Sequence, residues 1–497
     1  MGKRVVAVVA VLALLIQLTG CTVKKTQRLD PTVVTNPAAE TIIGITTKAG
    51  EELSFDPPGA TVRDRVIHAA VNKKPYQIAL EQVERLWVQR QEPSTARTIG
   101  LAVGLAVGTL VVVAAIVLAT KESCPFVYSW DGEQYVFDAE PYGGSITRGL
   151  ERDDFGELEH LRPNNGQYQL LITNEVEETQ FTNLMELQVV DHRSERVVVT
   201  DQGRFHTLSS PQPPTAAKDQ DGKDLLPWLK ATDKRIWEPE AAPGTQTSVR
   251  QDIQLTFQKP PSAKKAKLVV NAATSLWGSY MIKAISELRG RDLESWYASM
   301  DSDPAAANAL LYWTLREELF MLKICTAEPG GWEQRGLLLG GGPFIAEDRA
   351  VELDVSRVQG DQLSIRIRPP KGFWALNSFA VDYSLDEQVE VQNLKPIEAK
   401  DANGRDRLPE LIAADKLYYE MPNIGDRAQV RFLAPAGRTG MKRTVFLHSR
   451  GYYKLHLKGT GQPDTEMLQQ ITAVPDAAAR FAGVCFAAWR AAHTSRY

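Results

Sequence analysis

Ala217 to Glu238 reads AKDQDGKDLLPWLKATDKRIWE and Ala399 to Glu420 reads AKDANGRDRLPELIAADKLYYE, 22 residues each, identical at twelve positions without a gap. Shared positions include Asp219/Asp401, Gly222/Gly404, Asp224/Asp406, Pro227/Pro409, Asp233/Asp415 and Lys234/Lys416. Self-similarity of this kind restricts the chain to a fold built from two related units. The flanks agree in the same order: ELEHLRPNNGQYQLLI precedes the first copy as ELDVSRVQGDQLSIRI precedes the second, and Val190-Asp191-His192 stands where Val381-Asp382-Tyr383 does. Downstream, DIQLTF parallels AQVRF and KAKLVV parallels MKRTVF.

The text around the repeat has β periodicity. Runs such as QYQLLIT, MELQVVDH, DIQLTF, DQLSIRI, TVFLHS and YYKLHL are strand-length and alternate, with turn residues between them. PFVYSW and EQYVFDAE flank Asp131-Gly132, which predicts a two-residue type I′ hairpin. Only Leu276 to about Thr326 has helical spacing, with Asp303 as N-cap and Pro304 as first residue of a helix running towards Cys325. Gly330 to Phe344, GGWEQRGLLLGGGPF, lacks the Lys-Ser/Thr pair of a phosphate loop and reads as a linker. The expected fold class is mainly β: two tandem related β-sandwich units of jelly-roll or Ig-like kind at 121–282 and 330–460, a helical insert at 283–329, and a helical tail at 461–497.

Ahead of this region, TIIGITTKAGEELSF, VIHAAV and KPYQIALEQVERLWVQR supply four or five short strands within 40–92, most economically a small SH3-like barrel. His68 stands alone there, with no second ligand spaced to help it. With 497 residues and 43% apolar content the chain can bury several cores. The balance of 57 basic against 61 acidic residues, a net charge of −4, excludes a nucleic-acid binder. Four cysteines without a CxxC pair exclude a zinc ribbon or thioredoxin-type site, and the sequence gives no basis for pairing Cys124, Cys325 and Cys485.

The N-terminus sets an address. Lys3 and Arg4, an apolar run from Val5 to Ile16 and Leu-Thr-Gly-Cys at 18–21 have the order of a signal peptide over 1–20. The last four residues resemble the lipobox of bacterial lipoproteins. That resemblance implies lipidation of Cys21, a tether over 21–39 and, since Thr22 rather than Asp follows the cysteine, compatibility with outer-membrane delivery. Thr98 to Thr120 is a stretch of 23 residues without a charge, long enough to cross a bilayer as a transmembrane helix. Gly100, Gly104 and Gly108 strip one face of it for helix packing, hence self-association. Lipoproteins with glycine-zipper segments are similar to this combination. Stop-transfer logic would leave 121–497 in the cytoplasm, whereas Arg85, Arg90 and Arg97 before the helix argue the reverse; the extracytoplasmic side is the expectation.

Two further resemblances bear on the β region. VELDVSRVQGDQLSIRIRPPKGFWALNSFAVDYS is similar in style to strands of galactose-binding-like jelly rolls, which implies a sandwich more than sugar binding. CPFVYSWDGEQYVFDAEPYGGSITRGLERDDFGELEHL resembles a block shared by bacterial envelope proteins of no known activity, so it implies no mechanism.

Candidate chemistry is sparse. The shared D-x-[DN]-G-x-D pattern sets oxygens at Asp219, Asp221 and Asp224, and again at Asp401, Asn403 and Asp406, around a glycine; this can be a Ca²⁺ loop without the late Glu of an EF-hand, or a turn whose last Asp caps a short helix. The acidic run Asp138, Glu140, Glu151, Asp153, Asp154, Glu157 and Glu159 with His160 offers carboxylate pairs for hydrolysis. His448-Ser449 lacks a nucleophile elbow, and neighbours in a strand face opposite ways. Trp374, Tyr452 and Tyr453, with Phe373 and Phe379, can stack on a sugar or anchor a partner if exposed. The expected function is a non-catalytic, membrane-anchored envelope lipoprotein whose β-sandwich module binds a protein partner or surface glycan, without a cofactor beyond possible Ca²⁺. The alternative is a glycan- or peptide-acting envelope hydrolase.

Overall fold

The computed structural model describes residues 22–29, 31, 41–49, 51–56, 58–63, 65–71, 73–93, 125–233, 235–237, 249–457 and 459–494. Cys21, the 98–120 segment with Gly100, Gly104 and Gly108, and Cys124 lie outside them. Among the described residues no helix is long and apolar enough to cross a membrane. The chain divides into two compact units, Met1–Leu105 and Ala106–Tyr497.

Among its described residues the first unit has seven strands in two sheets. One has the order Thr22–Leu29, Val83–Pro93, Thr41–Thr47, Glu52–Ser54; the other is Thr61–Arg63, Val66–Val71, Lys74–Ala79. Ile42, Ile45, Ile67, Ile78, Leu86 and Val88 fill the core they share. Thr22–Leu29 corrects the expectation of a tether, since Thr22 to Leu29 pairs residue for residue with Pro93 to Leu86. This strand, TVKKTQRL, covers the edge that Val83–Pro93 would otherwise leave open.

Among its described residues the second unit holds two sandwiches, one of two five-stranded sheets and one of a five-stranded sheet facing a three-stranded one. In the outer sandwich the five-stranded sheet runs Glu398–Asp401, Arg427–Leu433, Gln167–Thr173, Phe126–Trp130, Tyr135–Ala139. Its partner sheet runs Arg152–Glu157, Lys442–Leu455, Glu178–His192, Glu390–Leu394, with Tyr419–Met421 also on Glu178–His192. In the inner sandwich the order is Ala216–Asp219, Ile253–Gln258, Gln362–Ile367, Met321–Glu328, Gly331–Leu339, facing Glu347–Asp354, Lys265–Thr274, Trp374–Asp382. Alternation decides which side is buried: Ile253, Leu255 and Phe257 enter the inner core as Ala428, Val430 and Phe432 enter the outer one.

The sandwiches are not the chain segments expected from sequence. Strands of 126–192 pair with strands of 398–455, and strands of 216–274 pair with strands of 321–382, so the boundaries 121–282 and 330–460 cut through both cores. The inner sandwich is nested inside the outer one. Each copy of the repeat nevertheless has the same place, at the edge strand of a five-stranded sheet followed by a single helical turn, Leu226–Leu229 or Leu408–Leu411. The alignment of QYQLLI with QLSIRI also falls on equivalent central strands. That of Val190-Asp191-His192 with Val381-Asp382-Tyr383 does not preserve the face: Val190 packs with Phe155 and Phe446 outside the outer core, whereas Val381 lies within the inner one.

Local expectations divide similarly. Asp303 caps the Pro304–Glu317 helix by accepting the Ala305 N–H, but the helix stops at a left-handed Glu318, and Cys325 belongs to the strand Met321–Glu328. Gly331–Leu339 is a strand hairpinned to it rather than a linker. The helical block begins earlier than 283, with helices Leu276–Glu287 and Leu293–Ser302; Thr465–Ala473 and Ala477–Thr494 follow the last strand. The Asp131-Gly132 hairpin closes at Trp130 and Tyr135 with a four-residue loop, because the Asp131 carboxylate accepts the Glu133 and Gln134 amides and only Gly132 of the pair takes positive φ.

Candidate functional site

The acidic run is divided. Burial raises Glu157 to about 7, with Arg196 opposing and the charges of Glu159 and Asp138 adding to it. Asp138 accepts the His160 amide and pairs with its Nδ1 at 2.8 Å. Asp153 accepts from His448 Nε2 and from Arg450, both at 2.9 Å, and Glu186 meets His448 Nδ1 at 3.2 Å. Glu151 takes Arg450, Asn183 and the Tyr418 hydroxyl. His448 stacks on Phe155 with ring centroids 4.4 Å apart, and its neighbour Ser449 is buried on the opposite side of the strand. Burial works to lower the His448 pKa, but the hydrogen bonds that its ring donates to Asp153 and Glu186 outweigh it and raise it.

Two members of the run, Glu140 and Asp154, enter a charged seam where the sandwiches meet. Arg349, 5% exposed, reaches Glu347 at 2.6 Å, Asp154 at 3.2 Å and Asp201 at 3.4 Å. Arg152 bridges Asp154 and the Gly340 carbonyl. Backbone amides complete the seam: Tyr142 donates to Asp154, Leu339 to Asp201, and Phe344 and Ile345 to Glu140. Burial raises Glu347 to about 7 and Asp201 to about 6, against the opposing pull of Arg349. The approach requires glycine, since a Cβ on Gly143 would lie 2.4 Å from the Gly341 oxygen. Buried charge held by fixed arginines and amides is a joint, not a pair of free acids.

The repeated aspartates build turns. In the first copy Asp219 Oδ1 accepts the Asp221 and Lys223 amides and Asp224 accepts that of Leu226; in the second, Asp401 Oδ1 accepts those of Asn403 and Arg405 and Asp406 that of Leu408. Gly222 and Gly404 take φ of 80° and 75°. Among the described residues no three His, Cys, Asp or Glu side chains are grouped to hold a metal ion. His68 sits half-buried on the Val66–Val71 strand. Cys325 and Cys485 are free thiols, their pKa values raised by burial.

The aromatic candidates are core residues, which corrects their reading as a binding surface. Trp374, Tyr453, Phe373 and Phe379 are essentially inaccessible, and Tyr452 is buried with its ring stacked on Phe181. Trp374 donates to the Glu318 carbonyl, and the Tyr453 hydroxyl accepts the Gly144 amide.

Sequence reasoning passed over a cavity of about 320 Å³ in the helical block. Ile282 and Ile285, Trp296 and Met300, Leu310 and Trp313, and Leu468 and Ile471 line it from four helices, with Ile146 from the outer sandwich. The signal was present as apolar pairs three or four apart on successive helices. At its edge the Arg289 guanidinium lies 3.9 Å from the Trp296 ring centroid and donates to the Ile285 carbonyl. Trp313 donates to the Ile471 carbonyl, which ties Thr465–Ala473 across the opening.

Compared with known proteins, the chain matches no family model, and no curated protein matches its sequence.

Proposed function

We propose that the chain is a non-catalytic envelope lipoprotein, anchored through Cys21, whose paired sandwiches act as a scaffold or binding module for a protein partner or cell-surface glycan. One observation supports the non-catalytic part: Asp138 is tied to His160, Asp153 to His448, Glu140 to backbone amides and Asp154 to Arg349, so these four acids of the 138–160 run are engaged within the protein. A hydrolase needs two carboxyls facing one substrate, within roughly 5 to 9.5 Å of each other and free to exchange protons.

Common descent of the two sandwiches is the reading that the twelve identities and the shared order of the five-stranded sheets support. On that reading each copy has a first half (126–192 or 321–382) and a second half (216–274 or 398–455), and the copies have exchanged second halves. Such an exchange makes one cooperative platform of two modules. Anchoring is tested by Cys21→Ser, which should release the chain from the membrane fraction and abolish palmitate labelling; retention of both label and membrane association would refute it. For helix pairing, Gly104→Leu should weaken self-association in detergent, and an unchanged oligomer would count against the glycine face.

A further inference from the structure

The helical cavity combines apolar walls with one cation that lacks a counter-ion. Arg289 makes no ion pair among the described residues; its guanidinium donates to the Ile285 carbonyl one turn back and lies over the Trp296 ring. Arg349, by contrast, takes three carboxylates, Arg250 two and Arg443 one. Burial lowers the Arg289 pKa to about 10, with Tyr297 pulling the other way, so the group remains charged. A desolvated guanidinium beside a hydrocarbon-lined space is complementary to an anion carrying a hydrocarbon tail.

We propose that this cavity binds a free monocarboxylate with a single aliphatic chain, its tail among Ile282, Ile285, Leu310 and Leu468 and its carboxylate paired with Arg289. One guanidinium matches one carboxylate in fork geometry, whereas a phosphate dianion would want further donors, and no other cation lines the cavity. The volume lies near the lower end for small-molecule sites, which suits one tail rather than two. The proposal rests on the non-catalytic reading and adds to it a small lipid ligand, distinct from the protein partner or glycan of the sandwiches.

The test uses the full chain in nanodiscs, titrated calorimetrically with dodecanoate against empty discs, and with dodecanol as the uncharged comparison. Saturable one-to-one dodecanoate binding is expected, weakened at least tenfold by Arg289→Met with dodecanol unaffected; Arg289→Lys should lie between. Leu310→Trp should fill the space and remove both ligands. Circular dichroism establishes that each variant is folded, and Arg289→Lys serves if Arg289→Met is not. Absence of saturable dodecanoate binding, or equal loss of dodecanoate and dodecanol in Arg289→Met, overturns the proposal. So does binding of phosphatidylglycerol vesicles that depends on Arg289 in place of dodecanoate binding. Parallel incubation with peptidoglycan separates the two readings: turnover with intact dodecanoate binding would sink only the non-catalytic reading, and failure of dodecanoate binding without turnover would sink only the ligand.

Discussion

At the scale of single residues, the seam makes stability depend on pH in a definite direction. A carboxyl whose pKa is raised on folding contributes stability that is complete below its unfolded value and lost as pH rises through the folded one. Glu347, at about 7 against an ordinary 4.5, accounts for about 3 kcal/mol of this kind, and Asp201, at about 6, acts with the same sign. His448, raised by Asp153 and Glu186, also loses its contribution as pH rises past its folded value. The thermal midpoint should therefore fall between pH 5 and pH 8, and Glu347→Gln, neutral throughout, should flatten that fall; an unchanged slope in the variant would refute the assignment. Gly143→Ala should lower the midpoint at every pH, because the added methyl meets the Gly341 oxygen. Little of this was legible in sequence. Asp154 and Glu140 stood out as acids, but Arg349 and Asp201 lie about 200 and 50 residues further along, and only the packing of two sheets brings them together. Trp374 and Tyr453 could be named as large aromatics, while their burial depends on which face of a strand looks inward.

At the scale of elements, the repeated turn is a unit of local stability. Asp401→Ala removes the oxygen that accepts two backbone amides and the Arg407 ion pair, and should cost roughly 1 to 2 kcal/mol in denaturant unfolding. Asp219→Ala, which lacks an arginine partner of that kind among the described residues, should cost less. Because these oxygens are already engaged by backbone amides, a melt in EDTA followed by excess Ca²⁺ should leave the midpoint unmoved; a rise with Ca²⁺ would restore the metal reading. Local chemistry was the most readable layer here. Asp303 with Pro304 announced a helix start, and Gly222 and Gly404 announced left-handed turns. Gly331–Leu339 misled because its glycines suggested a linker, whereas pairing with Met321–Glu328 overrides that composition.

At the scale of the whole molecule, the exchanged pairing predicts how the protein responds to being cut. A protease site placed between Ser302 and Asp303 divides the expected tandem units, yet strands from both fragments cross both cores. The nicked protein should elute as one particle in native buffer and separate only in denaturant; two separate folded species would contradict the exchange. The repeat made two related units legible, but identical edges and similar central strands fit either partner, so sequence could not say which half pairs with which.

Nesting also orders events in time. The strands of 126–192 are made about 200 residues before the first of their partners from the distant half, at 390–394, a delay of roughly 10 to 40 s at 5 to 20 residues per second. Through that interval a half-built hydrophobic face waits in water, so the newborn polypeptide should depend on a holding chaperone until its last third arrives.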